Sequence, residues 1–429
     1  MLELHYGWIA FFVFLAITVL IATKMPVAIC FMTIGLFGFT FMLGKPALIE
    51  LGPTIWSMLD SFPLTSVILF ILMGEFMMQG GLSRELYNTT EKWVYRLPGG
   101  LAQVNIVACT IFAAISGSSV STAATMGVLA GPEMEKRGYD NRLTYGSLAA
   151  GATLGILIPP STVMVIYGIL TEQSIATLFV AAILPGLLLT ALFLLTIYLL
   201  AVYRPELGPR GPRFSLRELG GLLALFLLVI GGLYTGWFTP TEAAGVGAGG
   251  AMAVTLLKRR LTGAALRASL QETTLSTAMI FLVLIGANIF GYFLAVSQVP
   301  EQVIAGATTF GVNRFAVLGI IVLVYILLGC LMEGLAMMVI TLPVVFPVII
   351  QLGFNPIWFG VVLTVLLEMS LITPPVGMNV FVLSGVAPGV RMSAIFQGIL
   401  PFFLTMLLCL FLLILWPQIA LFLPGTMAD

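Results

Sequence analysis

The sequence predicts an all-α polytopic membrane protein built from two inverted repeats, each with full-length crossings, one re-entrant hairpin and one unwound helix. Three observations lead to this fold class. Hydrophobic residues make up 60% of the 429 residues and charged residues only 8%, a composition that excludes both a soluble globular domain and a disordered chain. Two apolar runs of the first half are interrupted by clusters of Gly, Ser or Pro, and the second half repeats the first in register.

The crossings of the first half are five apolar stretches, each near the length of about 20 residues that a spanning helix needs. They run from Trp8 to Thr23, Met25 to Leu43, Phe62 to Gly80, Arg142 to Leu170 and Ala176 to Tyr203. Two shorter segments of mixed charge, Pro46 to Ser61 and Ser83 to Arg96, are expected to be helices that lie in the interface. The N-terminal MLELHYGW has no basic region, so the first run is expected to be a retained span and not a signal peptide.

Two broken apolar runs are the first candidates for a functional site. SGSSVST (116–122) interrupts the run from 101 to 130, and IPPST (158–162) interrupts the run from 142 to 170. The two prolines of IPPST remove two backbone donors in succession. In lipid, non-helical backbone persists only where protein covers it or where it lines a cavity. The alternative is a seam of small residues for close helix packing, but a polar break beside a double proline favours a site.

The second half repeats this pattern after a polar linker at 204–218. IPPS at 158–161 recurs as TPPV at 373–376, an offset of 215 residues. The same register places LMEGLAM (331–337) opposite SGSSVST, so a second broken tip is expected there. Other residues agree at this offset: Pro132 with Pro347, Gly138 with Gly353, and Asp140 with Asn355.

The distribution of basic residues predicts the topology. If both broken pieces are hairpins and the N-terminus lies outside, only Lys45 and Arg314 of the 18 Lys and Arg residues face outward. If the broken pieces cross the membrane instead, the best division is twelve against six. The positive-inside rule therefore favours hairpins. Each half then has an odd number of crossings, so the second half is inverted and one hairpin enters from each side.

A broken helix tip suits small ions. Its free carbonyl groups suit a desolvated cation, and its helix N-termini suit an anion such as a carboxylate. The hydroxyl groups of Ser116, Ser118, Ser119, Ser121 and Thr122 add side-chain oxygens to the first tip.

Four carboxylates lie in or near apolar spans, where an isolated charge costs about 2.5 to 3.5 kcal/mol on insertion scales. Glu333 falls at the second tip and is expected at a site. Glu242 is expected to be a first-turn carboxylate near the surface, and Glu75 to contact another helix or a partner subunit. Glu368 lies shortly before the TPP break and is a candidate for stabilising it.

Several other functions are excluded or disfavoured. The sequence has no GxxxxGK[ST] loop for ATP, and His5 is its only histidine, so an HExxH zinc site is excluded. An intramembrane serine hydrolase would need a general base near the nucleophile, and His5 lies far from the broken helices in sequence. The four cysteines lie in apolar runs without CxxC spacing and are expected to be small buried hydrophobic residues.

Three segments resemble the large membrane subunit of tripartite ATP-independent periplasmic (TRAP) transporters: SGSSVSTAATMG (116–127), GATLGILIPPSTVMVIYGILTEQSI (151–175) and EMSLITPPVGMNVFV (368–382). The resemblance covers essentially the whole chain. It implies an elevator-type secondary transporter of the bacterial inner membrane, driven by Na+ as the coupling ion and specific for a small organic acid. It also implies two partners, a small four-helix membrane subunit and a periplasmic substrate-binding protein. No enzymatic activity is expected.

The resemblance implies two sodium sites where a tip meets an unwound helix. The first would comprise Ser116, Gly117, Ser118, Ser119 and Val120 with Pro159, Pro160, Ser161 and Thr162. The second would comprise Met332, Glu333, Gly334 and Leu335 with Thr373, Pro374, Pro375, Val376 and Gly377. Since the second tip has no hydroxyl, sodium there would depend on backbone carbonyls and Glu333. The substrate would be bound by Ser116, Ser118, Ser119, Ser161, Thr162, Glu333 and Asn379.

The expected domains follow from this implied architecture. Residues 1–98 and 218–310 would form a static scaffold, 99–203 and 311–425 a moving transport domain with both hairpins, and 204–217 a cytoplasmic linker. Both termini would be periplasmic. The alternative is a stand-alone sodium/carboxylate symporter of the same architecture that needs no binding protein.

Overall fold

The computed structural model describes residues 25–44, 48–94, 97–208, 228–298, 313–330, 332–387 and 389–427, with a few single residues between 12 and 23. Most of the predicted span from Trp8 to Thr23 lies outside the described residues. Every regular element among them is helical. The helices of the first half are α1 (Val27–Leu43), α2 (Leu48–Leu59), α3 (Leu64–Gln79), α4 (Leu82–Val94), α5 (Leu101–Ser116), α6 (Ser119–Lys136), α7 (Asn141–Leu157), α8 (Thr162–Thr171) and α9 (Ile175–Tyr203).

The second half has a similar series after the linker. Its helices are α10 (Pro240–Leu257), α11 (Gly263–Ser297), α12 (Arg314–Gly329), α13 (Gly334–Gln351), α14 (Pro356–Ser370), α15 (Met378–Val386), α16 (Met392–Leu415) and the short α17 (Gln418–Leu421). Short 3-10 turns lie at Pro205–Leu207 and Pro424–Thr426.

The predicted all-α polytopic membrane fold is confirmed. Among the described residues, five helical stretches are long and apolar enough to cross a membrane: Asn141–Thr171, which contains α7 and α8, and the helices α9, α11, α13 and α16. Shorter apolar helices of 10 to 17 residues include α3, α12 and α14. The chain is therefore an integral membrane protein with several crossings.

Matching caps begin the central helices of the two halves. The Asp140 side chain accepts a hydrogen bond of 2.7 Å from the Arg142 amide at the start of α7. The Asn355 side chain accepts one of 2.9 Å from the Ile357 amide at the start of α14. A glycine of positive φ, 77° at position 138 and 74° at position 353, precedes each cap by two residues. The 215-residue offset therefore appears in local structure, while the inversion of the second half stays a prediction.

The first hairpin differs from its prediction in one respect. The apolar pattern predicts an arm of about 10 residues after SGSSVST, but α6 begins within that stretch at Ser119 and continues through Pro132 to Lys136, so 14 residues follow Thr122. Polar contacts hold this added part. Tyr145 donates a hydrogen bond of 2.8 Å to Glu135, and Arg137, directly after the helix, forms a 2.7 Å ion pair with Glu133. An apolar count cannot include such charged turns.

The two short helices α2 and α4 occur where the interfacial segments are predicted. Ion pairs fix α4 at both ends. Arg260 lies 2.7 Å from Glu85, Lys258 also pairs with Glu85, and Arg137 lies 2.7 Å from Glu91. Partial burial raises the pKa of Glu85, but its bonds with Lys258 and Arg260 outweigh this and lower the pKa below its ordinary value.

Two groups of helices pack closely. In one group α1 and α3 pack on α11, and α3 packs on α10. In the other, α7 packs against α5, α6 and α16, and its residues from Leu143 to Leu157 are all buried.

Cys30, Cys109 and Cys409 are buried free cysteines and Cys330 is half-buried, which agrees with their expected role. Glu242 forms a capping box with Thr239 at the start of α10, so its expected surface role is confirmed.

The contact between α7 and α16 depends on glycine. A Cβ added at Gly146 would lie 2.6 Å from the backbone of Gly398, and a Cβ at Gly398 would overlap the carbonyl oxygen of Arg142. Such distances are shorter than van der Waals contact. The two halves of the protein are therefore in direct backbone contact through α7 and α16.

Replacing Gly398 should separate α7 from α16. We expect Gly398→Ala to lower the free energy of unfolding by about 1 to 3 kcal/mol. The added Cβ would meet the backbone of α7, which cannot move aside as a side chain can by changing its rotamer. Thermal unfolding of the purified protein measures this. Gly319→Ala in α12 is the control, since no atom lies within 4 Å of its added Cβ. An equal unfolding temperature for the two variants would contradict the packing.

Candidate functional site

The two broken helices of the first half meet at their breaks. α5 ends at Ser116 and α6 begins at Ser119, and Gly117 between them has a φ of 59°. The Thr162 hydroxyl donates a hydrogen bond of 3.1 Å to the Gly117 carbonyl. The first tip therefore touches the start of α8, as the sequence predicts, and neither backbone is helical there.

The first tip is held on both sides by backbone. A Cβ at Gly117 would lie 3.0 Å from the Pro160 carbonyl oxygen, and a Cβ at Gly155 would lie 2.7 Å from the Ser119 amide nitrogen. The Pro159–Pro160 peptide bond is cis, as is the Pro374–Pro375 bond of the second half. Only glycine at 117 and 155 allows the tip to sit between the end of α7 and the start of α8.

Two helix N-termini open at this contact. Ser118 caps α6, accepting a hydrogen bond of 3.3 Å from the Ser121 amide. Ser161 caps α8, accepting one of 3.3 Å from the Met164 amide. The remaining free N–H groups carry partial positive charge. This arrangement can attract an anion without any basic side chain.

A buried carboxylate from the second half supports the first tip. Glu368 in α14 is fully buried. It accepts hydrogen bonds of 3.0 and 3.1 Å on its two oxygens from the Ser119 hydroxyl and one of 2.9 Å from the Ile156 amide. The Glu368 side chain does not contact the TPP break. It points toward the first half, where it contacts Ser119 and Ile156.

A cavity of about 190 Å³ lies between the two tips, α3 and α11. Hydroxyl groups and carboxylates supply its polar side chains, and none of its described lining residues is basic. The polar lining residues are Glu75, Ser116, Ser118, Ser119, Ser121, Thr162, Ser276 and Glu333. Glu75 accepts a hydrogen bond from Gln79, yet its Oε2 atom is buried without a partner among the described residues. A contact between helices, the role expected for Glu75, therefore does not account for this unpartnered oxygen.

The structure brings about half of the predicted site residues together at this cavity. Those that line it are Ser116, Gly117, Ser118, Ser119, Val120, Thr162, Glu333, Gly334 and Leu335. Three others, Pro159, Pro160 and Ser161, are buried directly behind the lining. Met332 and the segment 373–377 do not belong to the lining.

Asn379, a predicted substrate residue, lies outside the lining of this cavity, and its Oδ1 atom is buried without a partner among the described residues. Asn379 is fully buried, and its Nδ2 donates a 3.4 Å hydrogen bond to the Ala149 carbonyl of α7. Its backbone amide also donates to the Leu371 carbonyl at 2.9 Å. Asn379 therefore fixes α15 against α7 and does not line the cavity.

The second tip is built differently from the first. Gly334 packs against α14, where an added Cβ would lie 3.3 Å from Leu367 and 3.5 Å from the Ser370 hydroxyl. These neighbours precede the TPP break. Pro374, Pro375 and Val376 are exposed, whereas Pro159 and Pro160 are buried. The predicted pairing of this tip with 373–377 is thus shifted toward the last turn of α14, since the repeat is only approximate.

Sequence reasoning missed part of the lining. Ile71, Gly74, Ser276, Met279 and Ile280 come from α3 and α11, which show no break in sequence. Glu75 was the only signal in α3, as a carboxylate within an apolar run. A serine such as Ser276 gives no signal, because single hydroxyls are common in membrane helices.

Broken helices that meet at a polar cavity inside a bundle of apolar helices define the class of secondary membrane transporters. Residues 14–419 match the family described as "Tripartite ATP-independent periplasmic transporter, DctM component". The chain belongs to this family. Membership classes it as a transporter permease and not as an enzyme.

Individual proteins agree with this family. The chain is 36% identical to the C4-dicarboxylate TRAP transporter large permease protein DctM of Pseudomonas aeruginosa over 92% of this chain and 94% of the relative. It is 34% identical to the isethionate TRAP transporter permease protein DctMQ of Oleidesulfovibrio alaskensis, covering 86% of this chain but 59% of that longer protein. The crystal structure of the Alcanivorax borkumensis YdaH transporter has a TM-score of 0.67 at 18% identity, covering 92% and 98% of the two chains, a likeness of fold.

Proposed function

We propose that this chain is the membrane subunit of a transporter that takes up a small organic acid across the bacterial inner membrane. A sodium gradient drives this uptake. The observation that carries the proposal is the cavity at which the N-termini of α6 and α8 meet serine and threonine hydroxyl groups. The relatives named for C4-dicarboxylates and isethionate support an anionic substrate.

The cavity suits a small acid. Its volume of about 190 Å³ lies below the range of roughly 300 to 1,000 Å³ for sites of drug-sized ligands. The helix N-termini supply the attraction for a carboxylate. The apolar walls from Ile71, Val163 and Leu371 would contact the carbon chain.

Sodium is the coupling ion in this proposal because the charges require a cation. The cavity already holds the side chains of Glu75 and Glu333, so an acid entering it meets two carboxylates. Each charge moved through 100 mV is worth about 2.3 kcal/mol. Uptake of an anion against the membrane potential therefore needs more sodium ions than substrate charges, which means two or more for a monocarboxylate.

The position of the cavity favours an elevator mechanism. One wall consists of α3 and α11, which belong to the proposed scaffold (1–98 and 218–310). The opposite wall consists of both tips, which belong to the proposed transport domain (99–203 and 311–425). Movement of the tips past α3 and α11 would carry the site between the two sides. The linker 204–217 would be cytoplasmic and both termini periplasmic.

Two partners belong to the proposal, a small four-helix membrane subunit and a periplasmic substrate-binding protein. The greater length of DctMQ, of which this chain covers 59%, is consistent with a permease relative that carries additional membrane segments. The alternative is a stand-alone sodium/carboxylate symporter.

Bulky residues at the first tip should block the site. We expect Ser116→Trp and Ser161→Trp each to abolish sodium-dependent uptake in proteoliposomes, because both hydroxyls lie where α5 ends and α8 begins. Gly319→Ala serves as the control for handling and insertion. Uptake equal to wild type in both tryptophan variants, with normal folding, would refute the site.

A crosslink between the proposed domains should stop transport. Thr125 in α6 donates a 3.5 Å hydrogen bond to the Met78 sulfur in α3, so Met78→Cys with Thr125→Cys can be joined by a short thiol crosslinker in a background without native cysteines. We expect at least a tenfold loss of uptake on crosslinking. The control pair, Met73→Cys with Gly247→Cys, lies within the scaffold and should retain uptake. Full uptake by the crosslinked Met78 and Thr125 pair would exclude this movement.

Reconstitution separates the tripartite system from the stand-alone symporter. We expect sodium-driven uptake only when the small membrane subunit and a loaded periplasmic binding protein are both supplied. Uptake by the isolated chain at the same rate would instead favour the symporter.

A further inference from the structure

The direction of each hydrogen bond at the first tip determines which ligand that part of the tip can accept. A serine or threonine hydroxyl has one proton to donate and two lone pairs to accept. Ser119 uses its proton on the Glu368 carboxylate, at 3.0 and 3.1 Å. Thr162 uses its proton on the Gly117 carbonyl, at 3.1 Å. Both residues line the cavity, and each can offer the cavity only lone pairs.

Ser118, directly before Ser119 in the chain, has the opposite hydrogen-bond arrangement. Its hydroxyl oxygen accepts a hydrogen bond from the Ser121 amide at 3.3 Å, which leaves its own proton available for the cavity. A carboxylate accepts protons and cannot donate one, whereas a cation needs lone pairs. The first tip therefore has an acceptor side, formed by Ser119 and Thr162, and a donor side at Ser118.

Glu368 creates this division. It is fully buried, it forms no ion pair among the described residues, and its only described side-chain partners are Ser119 and the Ile156 amide. An uncompensated buried carboxylate is strongly stabilised by a nearby cation. A cation bound at the Ser119 oxygen would be separated from this carboxylate by a single hydroxyl group. A carboxylate kept ionised by that cation would repel a substrate carboxylate from the same position.

We propose that Glu368 is a positioning residue that fixes Ser119 as a ligand for the coupling cation and keeps the substrate carboxylate on the Ser118 side of the tip. This inference rests on the proposed sodium coupling. It also gives a role to the contact between Glu368 of α14, in the second half, and the tip of the first half. A cation bound at the first tip would interact with α14, the helix that packs against the second tip.

The test replaces the charge and keeps the shape. In Glu368→Gln the amide oxygen, in the place of Oε1, can still accept from the Ile156 amide and from Ser119, while the amide nitrogen replaces Oε2 and the negative charge is lost. We expect the half-saturating sodium concentration to rise by roughly tenfold or more, since a charge at this distance is removed. Sodium-dependent thermal stabilisation of the purified full-length chain measures this directly, with potassium chloride as the control for ionic strength.

A double-mutant cycle separates this role from a structural one. If Glu368 acts through Ser119, then Glu368→Gln combined with Ser119→Ala should bind sodium as weakly as Ser119→Ala alone. Glu242→Gln, a surface cap, should leave the sodium response unchanged. Should Glu368→Gln fail to fold, Ser119→Ala tests the premise of the inference, which is that the Ser119 oxygen binds the cation.

Each outcome has one meaning. A wild-type chain without any sodium response overturns sodium coupling and the inference with it. A normal wild-type response together with an unchanged half-saturating concentration in Glu368→Gln, or in Ser119→Ala if the first variant does not fold, overturns the inference alone. Additive effects in the double variant would also overturn it, since Glu368 would then act independently of Ser119.

Discussion

The need to satisfy backbone polar groups inside a membrane is the constraint on which this structure depends. A chain that leaves the helix at Gly117 and at Pro159 to Pro160 must find partners for the freed groups. Here Thr162 supplies a side-chain donor, Ser118 and Ser161 cap the new helix starts, and buried backbone surrounds the rest. Residues at both new helix starts line the cavity, so the breaks that require these partners also form its wall.

Packing of glycine against backbone makes those breaks tolerable. Gly155 permits the tip to approach α7, and Gly146 and Gly398 permit the two halves to approach each other. Close approach buries the unwound segment at Pro159 and Pro160, and Glu368 from the second half fixes the first tip through Ser119. The protein therefore places a polar cavity between rigid walls, and different walls belong to the two proposed domains.

The sequence predicts the breaks well and their surroundings poorly. Proline pairs and hydroxyl clusters inside apolar runs are strong local signals, so both tips, their helices and the contact of Gly117 with Thr162 could be predicted. Ser276 and the direction of the Glu368 side chain could not, because they depend on how whole helices pack. The position of Asn379 outside the cavity lining could not be predicted for the same reason: a polar residue near a break can brace a neighbouring helix, here through Ala149, as well as bind a ligand.

A coupling cation bound at the first tip should be visible in density maps of the protein. The protein should be imaged by cryo-electron microscopy in sodium and again in potassium. We expect an ion density between the Gly117 region, the Ser119 hydroxyl and the Thr162 hydroxyl that is present only in sodium. Identical maps of this tip in the two salts, in a protein whose uptake still requires sodium, would contradict binding of the coupling cation there.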